Sequence, residues 1–214
     1  MKLTFVRHGV TEWNTLGRWQ GHSDNPLSEA GEHQARLLAR RLKGQSFDLV
    51  YSSDLVRARR TAELALPGVS VLVDERLREV HFGEFDGRTF DQIRLHPLFA
   101  TWAERPFEVP TPSGESLSEV VTRGLAWAST LPDGANVVTF THSLFIRSLV
   151  CHLIDIPFRS SPHRIFPVPL STPHTSLTVV RRAENDWTLE RLGDDSHLEH
   201  WTSSDASQQT SQHS

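Results

Sequence analysis

The sequence predicts a largely parallel α/β sandwich, on three observations. Apolar runs of strand length alternate with amphipathic segments of helix length. Several of the runs end in polar, turn-forming residues. The chain has 214 residues, 37% hydrophobic and 22% charged, enough for one α/β domain with a sizeable core.

Residues 3–6 (Leu-Thr-Phe-Val) read as a first buried strand running into Arg7-His8-Gly9. A polar, turn-rich loop follows, through Trp13, Asn14, Gly17, Trp19, Gly21 and Pro26. Ser28 is a suitable N-cap for a helix over 29–43, in which Ala35, Leu38, Ala39 and Leu42 share one face and Gly44 takes the C′ position. A second strand, 48–52, ends in Ser52-Ser53-Asp54, and the helix after it, 55–65, stops before Pro67. Residues 69–73 form a continuous apolar run, expected to be a third strand. Between 77 and 115 the periodicity fades among Gly83, Gly87, Pro97, Pro106, Pro110 and Pro112, leaving room for one short helix over 89–96. Ser116 and Glu119 make a capping box, and Leu117, Val120, Val121, Leu125, Ala128 and Leu131 mark the helix behind it. A fourth strand, 136–141, ends in His142, and 144–154 is an apolar helix. Strands at 176–180 and 187–192 flank a polar turn at 184–186. One domain is expected over 1–201. The Ser/Gln-rich stretch 202–214 lacks large apolar residues and reads as a disordered tail.

The formal net charge of −4 gives no reason to expect a nucleic-acid partner. No apolar run approaches the roughly 20 residues needed to cross a bilayer, so no membrane partner is expected. With Cys151 the one cysteine, no intramolecular disulfide can form, which fits a cytoplasmic location. A homodimer is compatible with the sequence, which does not fix the oligomeric state.

In open parallel sheets, ligands sit outside the carboxyl ends of the strands. Here the ends of the first and fourth strands carry Arg7-His8 and His142, and the turn after the second leads to Arg57. Phosphoryl transfer needs fixed positive donors around the equatorial oxygens, a role suited to the planar guanidiniums of Arg7 and Arg57. It needs a nucleophile, and a neutral imidazole such as His8 has the lone pair. His142 can donate to the transferring group, and a carboxyl such as Glu79 can protonate the leaving oxygen.

Arg7-His8-Gly9-x-Thr11-x-x-Asn14 resembles the opening signature of the histidine phosphatase superfamily, also called the phosphoglycerate mutase-like family. Segments similar to its further motifs follow in family order. They are Gly17-Arg18-Trp19-Gln20-Gly21, Asp24-Asn25-Pro26-Leu27-Ser28, and Ser52-Ser53-Asp54-Leu55-x-Arg57-Ala58-x-x-Thr61-Ala62. Then come Leu77-Arg78-Glu79 with Phe82-Gly83-Glu84-Phe85-Asp86-Gly87, Gly114-Glu115-Ser116, and Thr141-His142-Ser143-x-x-Ile146-Arg147. The resemblance implies a three-layer α/β/α sandwich with a mostly parallel central sheet. It implies a catalytic set of His8 (phosphate acceptor), Arg7, Arg57, His142 and Glu79 (acid, then base), with Asn14 and the Ser143 N–H as further phosphate donors. No cofactor and no metal are expected, since arginines do the work a cation would otherwise do. Two positions depart from the pattern. Ser143 stands where glycine is usual, and Phe85-Asp86 where tryptophan-glutamate is usual, the latter expected to affect packing alone.

Blander readings compete. Glu79 could pair with Arg76 or Arg78, and Asp74, Glu75 and Glu84 are alternative acids. His33, His96, His152, His163, His174, His197 and His200 read as ordinary polar or packing residues, while His22 and His81 lie in motif loops that could line a pocket. The expected activity is hydrolysis of a small-molecule phosphomonoester by a histidine acid phosphatase-type mechanism. A phosphoglycerate mutase and a non-catalytic binder of phosphorylated ligands are the alternatives. Residues 89–114 are expected to form a flap that sets substrate choice.

Overall fold

Six strands form one mixed sheet in the order β3-β2-β4-β1-β5-β6. The computed structural model describes residues 1–158, 166, 168–184 and 186–199. The proposed tail, His163 and His200 lie outside them. Strand β1 (Lys2–Arg7) is followed by a single helical turn, α1 (Glu12–Thr15), and by helix α2 (Glu29–Leu42). Next come β2 (Leu49–Ser52), α3 (Val56–Ala65), β3 (Leu72–Val73), and the short helices α4 (Phe90–Ile93) and α5 (Phe99–Glu104). The chain continues through α6 (Leu117–Ala128), β4 (Asn136–Thr141), α7 (Ser143–Leu153), β5 (Leu177–Ala183) and β6 (Asp186–Asp194).

Strands β1 to β4 run parallel, whereas β5 is antiparallel to β1 and β6 to β5. The two faces follow the period of two along each strand. Leu3, Phe5 and Val137 share one core with Trp127 of α6 and Phe145 and Leu149 of α7. Val6, Val50, Val138 and Phe140 share the other with Leu38 and Leu42 of α2 and Ala62 and Ala65 of α3. The result is the expected three-layer sandwich. No helix among the described residues is long and apolar enough to cross a membrane.

The structure differs from expectation where packing overrides apolar content. Of 69–73, only Leu72 and Val73 pair, with Tyr51 and Ser52, and both are exposed at the sheet edge, as is Val69. The single helix expected over 89–96 ends at Ile93, and α5 follows Pro97. Trp102 of α5 packs its ring against those of Trp19, Phe85 and Phe166, an anchor that the weak local periodicity gave no sign of.

Candidate active site

Strand register sets the site. Arg7 faces Thr141 across β1–β4, and Ser52 faces Phe140 across β2–β4, so the three strands end level. The next residue of each continues the pairing: His8 N–H donates to Thr141 O (3.0 Å) and Ser53 N–H to Phe140 O (2.9 Å). His8, His142 and Ser53 therefore emerge side by side at the carboxyl edge. The turn after His8 passes α2 at backbone contact. A Cβ on Gly31 would lie 2.1 Å from Val10 O, and one on Gly9 would lie 2.5 Å from Gly31 O, so neither position accepts a side chain.

The side chains at this edge are withdrawn from water. Relative exposure is 4% for His8, 0% for Arg57, 0% for His142 and 6% for Glu79. The ring of His8 is fixed by a 2.7 Å bond between its Nδ1 and Gly9 O. Since a carbonyl only accepts, Nδ1 carries the proton and Nε2 keeps its lone pair. Burial, reinforced by the Arg57 and Arg7 charges, holds the His8 pKa well below the usual imidazole value. The ring is thus a neutral base at physiological pH.

Two guanidiniums supply positive charge. Arg57 donates from Nη1 to Ser23 O (2.9 Å) and from Nη2 to Gly21 O (2.7 Å). Arg7 donates from Nη1 to Thr172 O (2.8 Å). A guanidinium has five N–H groups, so each has donors beyond these bonds, and the buried Nε of both has no partner among the described residues. Desolvation pushes each pKa down to about 10, which leaves both charged at neutral pH. His142 shares a 2.9 Å bond between its Nε2 and Ser53 Oγ, and its buried Nδ1 has no partner among the described residues. Its ring centroid lies 5.2 Å from that of His8. Orphaned buried donors are rare in folded proteins. Two Arg Nε–H groups and an imidazole nitrogen of this kind stand at the same edge as His8, donor types that suit an oxyanion.

Glu79 is held in place by main-chain groups. Its Oε1 accepts from Val80 N (3.0 Å) and Phe145 N (3.0 Å), and its Oε2 from Leu144 N (3.1 Å). It therefore occupies the N-terminus of α7, where the helix dipole favours an acid. Its backbone carbonyl accepts from Arg123 Nη2 (2.9 Å) and lies 2.9 Å from His22 Nε2. The competing ion pairs are satisfied elsewhere: Arg76 with Asp74, Arg78 with Asp54, and Glu84 with His96.

Asn14 is turned to a structural task by its Oδ1, which accepts from Thr11 N (3.1 Å) and Thr11 Oγ1 (3.0 Å) and closes the cap of α1. The Ser143 hydroxyl shares a 2.9 Å bond with Thr172 Oγ1, which leaves its backbone N–H as the group expected to act at the site. Asp86 does more than pack. It accepts from Gly21 N (2.9 Å), Ser23 N (3.0 Å) and Ser23 Oγ (2.9 Å), fixing the loop whose carbonyls hold Arg57. Phe85, by contrast, is fully buried in the aromatic cluster as expected. Thr61 accepts from Gly9 N (3.0 Å) and donates to Arg57 O (2.7 Å), joining the first and second motifs. His174 reads from the sequence as an ordinary polar or packing residue, and Thr172 is not singled out there. They lie in a stretch without periodicity, so no local signal marks them.

A buried, neutral imidazole beside two buried guanidiniums, at the carboxyl edge of the parallel strands, defines a class of α/β protein. The chain belongs to the histidine phosphatase superfamily (branch 1), whose sequence profile matches residues 3–195. It is 32% identical over 208 residues, 93% of this chain and 95% of the other, to a Photorhabdus laumondii protein named "Probable phosphoglycerate mutase GpmB". Among solved structures, the mycobacterial glucosyl-3-phosphoglycerate phosphatase complexed with VO3 matches with TM-score 0.76 and 30% identity, covering 90% of this chain and 98% of that one. The alpha-ribazole phosphatase of Shigella flexneri matches with TM-score 0.80 and 27% identity, covering 91% and 97%.

Proposed function

We propose that this protein is a phosphomonoesterase that works through a phosphohistidine on His8. The observation that carries the reading is the lone pair of His8 Nε2 beside buried donors that have no partner among the described residues. His8 Nε2 attacks phosphorus as the P–O bond to the leaving group breaks, and Glu79 delivers a proton to that oxygen. Water then attacks the phosphohistidine, Glu79 takes the water's proton, and the P–N bond breaks to release phosphate and neutral His8. Arg7, Arg57, His142 and the Ser143 amide stabilise the equatorial oxygens, with the Asn14 side-chain amide as a further donor.

Hydrolysis is favoured over mutase chemistry by the arrangement of 89–114 and its flanks. Transfer between phosphoglycerates calls for basic groups reserved for the carboxylate of a phosphorylated acid. Here Arg88 and Arg105 are exposed, and Arg94 is paired with Asp91, while aromatic rings occupy the inner side. The phosphatase titles of the structural neighbours point the same way, and the mutase names of the sequence relatives point the other.

The deciding experiment is release of inorganic phosphate from p-nitrophenyl phosphate with chelator present, alongside interconversion of 2- and 3-phosphoglycerate. Chelator-resistant release that His8→Ala abolishes, with no interconversion, is the expected result. Interconversion outrunning phosphate release would overturn it.

A further inference from the structure

His174 precedes β5 and lies 166 residues from His8 in sequence, yet the two are in contact. Their ring centroids are 5.6 Å apart, tilted at 56°. His174 Nδ1 lies 3.2 Å from His8 O, and since the carbonyl can only accept, Nδ1 carries the proton. The strand ladder of β1 ends at Arg7, so the His8 carbonyl is past its reach, and His174 is its one donor among the described residues. Bonds on either side fasten the same segment to the site. Thr172 O takes Arg7 Nη1, Thr172 Oγ1 meets Ser143 Oγ, and Thr175 N–H donates to Arg7 O (3.0 Å). Thr175 adopts φ of 57°, a left-handed conformation costly for a β-branched residue, which the surrounding bonds hold in place.

We propose that His174 is a positioning residue for the nucleophile. Its Nδ1–H bond fixes the carbonyl of His8 while the Gly9 carbonyl fixes the ring, so the two bonds together aim Nε2 along the line of attack. The proposal rests on the reading of His8 as nucleophile, and it makes the segment after position 170 part of the machinery, although no motif marks it. An in-line displacement is sensitive to the angle of its nucleophile, and a misplacement of about 1 Å can lower the rate about a hundredfold.

The test compares His174→Asn with His174→Leu. Asparagine carries an amide N–H where the imidazole Nδ1–H sits, whereas leucine fills the space and donates nothing. Two quantities are read: kcat and KM for p-nitrophenyl phosphate, and the ring signals of His8 in protein labelled with 15N-histidine. His174→Leu is expected to lower kcat on the order of tenfold with KM nearly unchanged, and to shift or broaden the His8 ring signals. His174→Asn is expected to stay near wild type in both. A leucine variant that matches wild type, or an asparagine variant as impaired as the leucine one, would overturn the proposal. Should the wild-type protein release no phosphate and trap no phosphohistidine, the phosphatase reading falls. The His8 signals then decide on His174 alone: a change in the leucine variant but not in the asparagine variant supports the bond, and equal behaviour refutes it.

Discussion

At Arg57 the demands of folding and of chemistry fall on one side chain. Its guanidinium staples the 21–23 loop through two carbonyls and still offers three N–H groups to an anion. Lysine could keep the charge but not the fork, so Arg57→Lys is expected to lower kcat/KM by about 10²–10³, the usual cost of one oxyanion donor. A variant within about tenfold of wild type would mean that charge alone suffices. Glu79 makes a different prediction. If it protonates the leaving oxygen, Glu79→Gln should slow esters of poor leaving groups by about 10²–10⁴ and p-nitrophenyl phosphate far less, because p-nitrophenolate departs without help. Equal slowing of both would assign Glu79 to structure, through its bonds to Leu144 and Phe145. The bond from Ser143 to Thr172 was invisible in the sequence, because it joins residues 29 apart and depends on their rotamers, whereas that of Asn14 to Thr11 follows the same i, i+3 spacing as a capping box.

Among the elements, the site is assembled from loops held by residues that never touch its centre. Asp86 accepts three hydrogen bonds from the Gly21–Ser23 loop. Asp86→Ala should free that loop and raise KM several-fold, with a smaller effect on kcat. A kcat loss at constant KM would show the loop to act on the chemistry directly. Helix α6 offers a contrast at a distance. Ser116 and Glu119 cap it reciprocally, as the S-x-x-E spacing predicts. Ser116→Ala should cost about 1 kcal/mol of stability, measured by denaturant unfolding, and leave kcat/KM unchanged. Elements with strong periodicity and caps, such as α2 and α6, were legible within a few residues. Strand β3 was not, because an apolar run does not say whether it is central or at an edge. Helix α5 was missed because Pro97 and weak periodicity hid a segment that tertiary packing of Trp102 stabilises.

For the whole molecule, buried neutral histidines tie stability to pH. His8 and His142 have pKa values well below 6.5, and His174 is pushed down to about 3, chiefly by desolvation in each case. Above about pH 6.5 these rings are neutral in both folded and unfolded chains and contribute no pH dependence. Below it the unfolded chain takes up protons that the folded one refuses, so stability falls by up to about 1.4 kcal/mol per pH unit for each ring. The lowered carboxyl pKa values of Asp54, Asp74 and Glu115 add a loss in the same direction at lower pH. The calorimetric melting temperature should therefore drop by several degrees between pH 7.5 and 5. Saturating inorganic phosphate should raise it at either pH, since a ligand at a hundred times its Kd adds about 2.7 kcal/mol of stability. A flat profile would mean that the folded chain accepts those protons.

The pairing of β1 with both β4 and β5 has a consequence for synthesis at the ribosome. His8 is made well before the strand it follows can gain its two neighbours, which exist only when 136–141 and 177–183 have been added. Arg7 waits for Thr172, which is 165 residues away. Closing such long loops is slow, and it comes last. A nascent chain that already carries His8 thus lacks the strands that fix its surroundings, and the setting of His8 is complete only once β4 and β5 have left the exit tunnel.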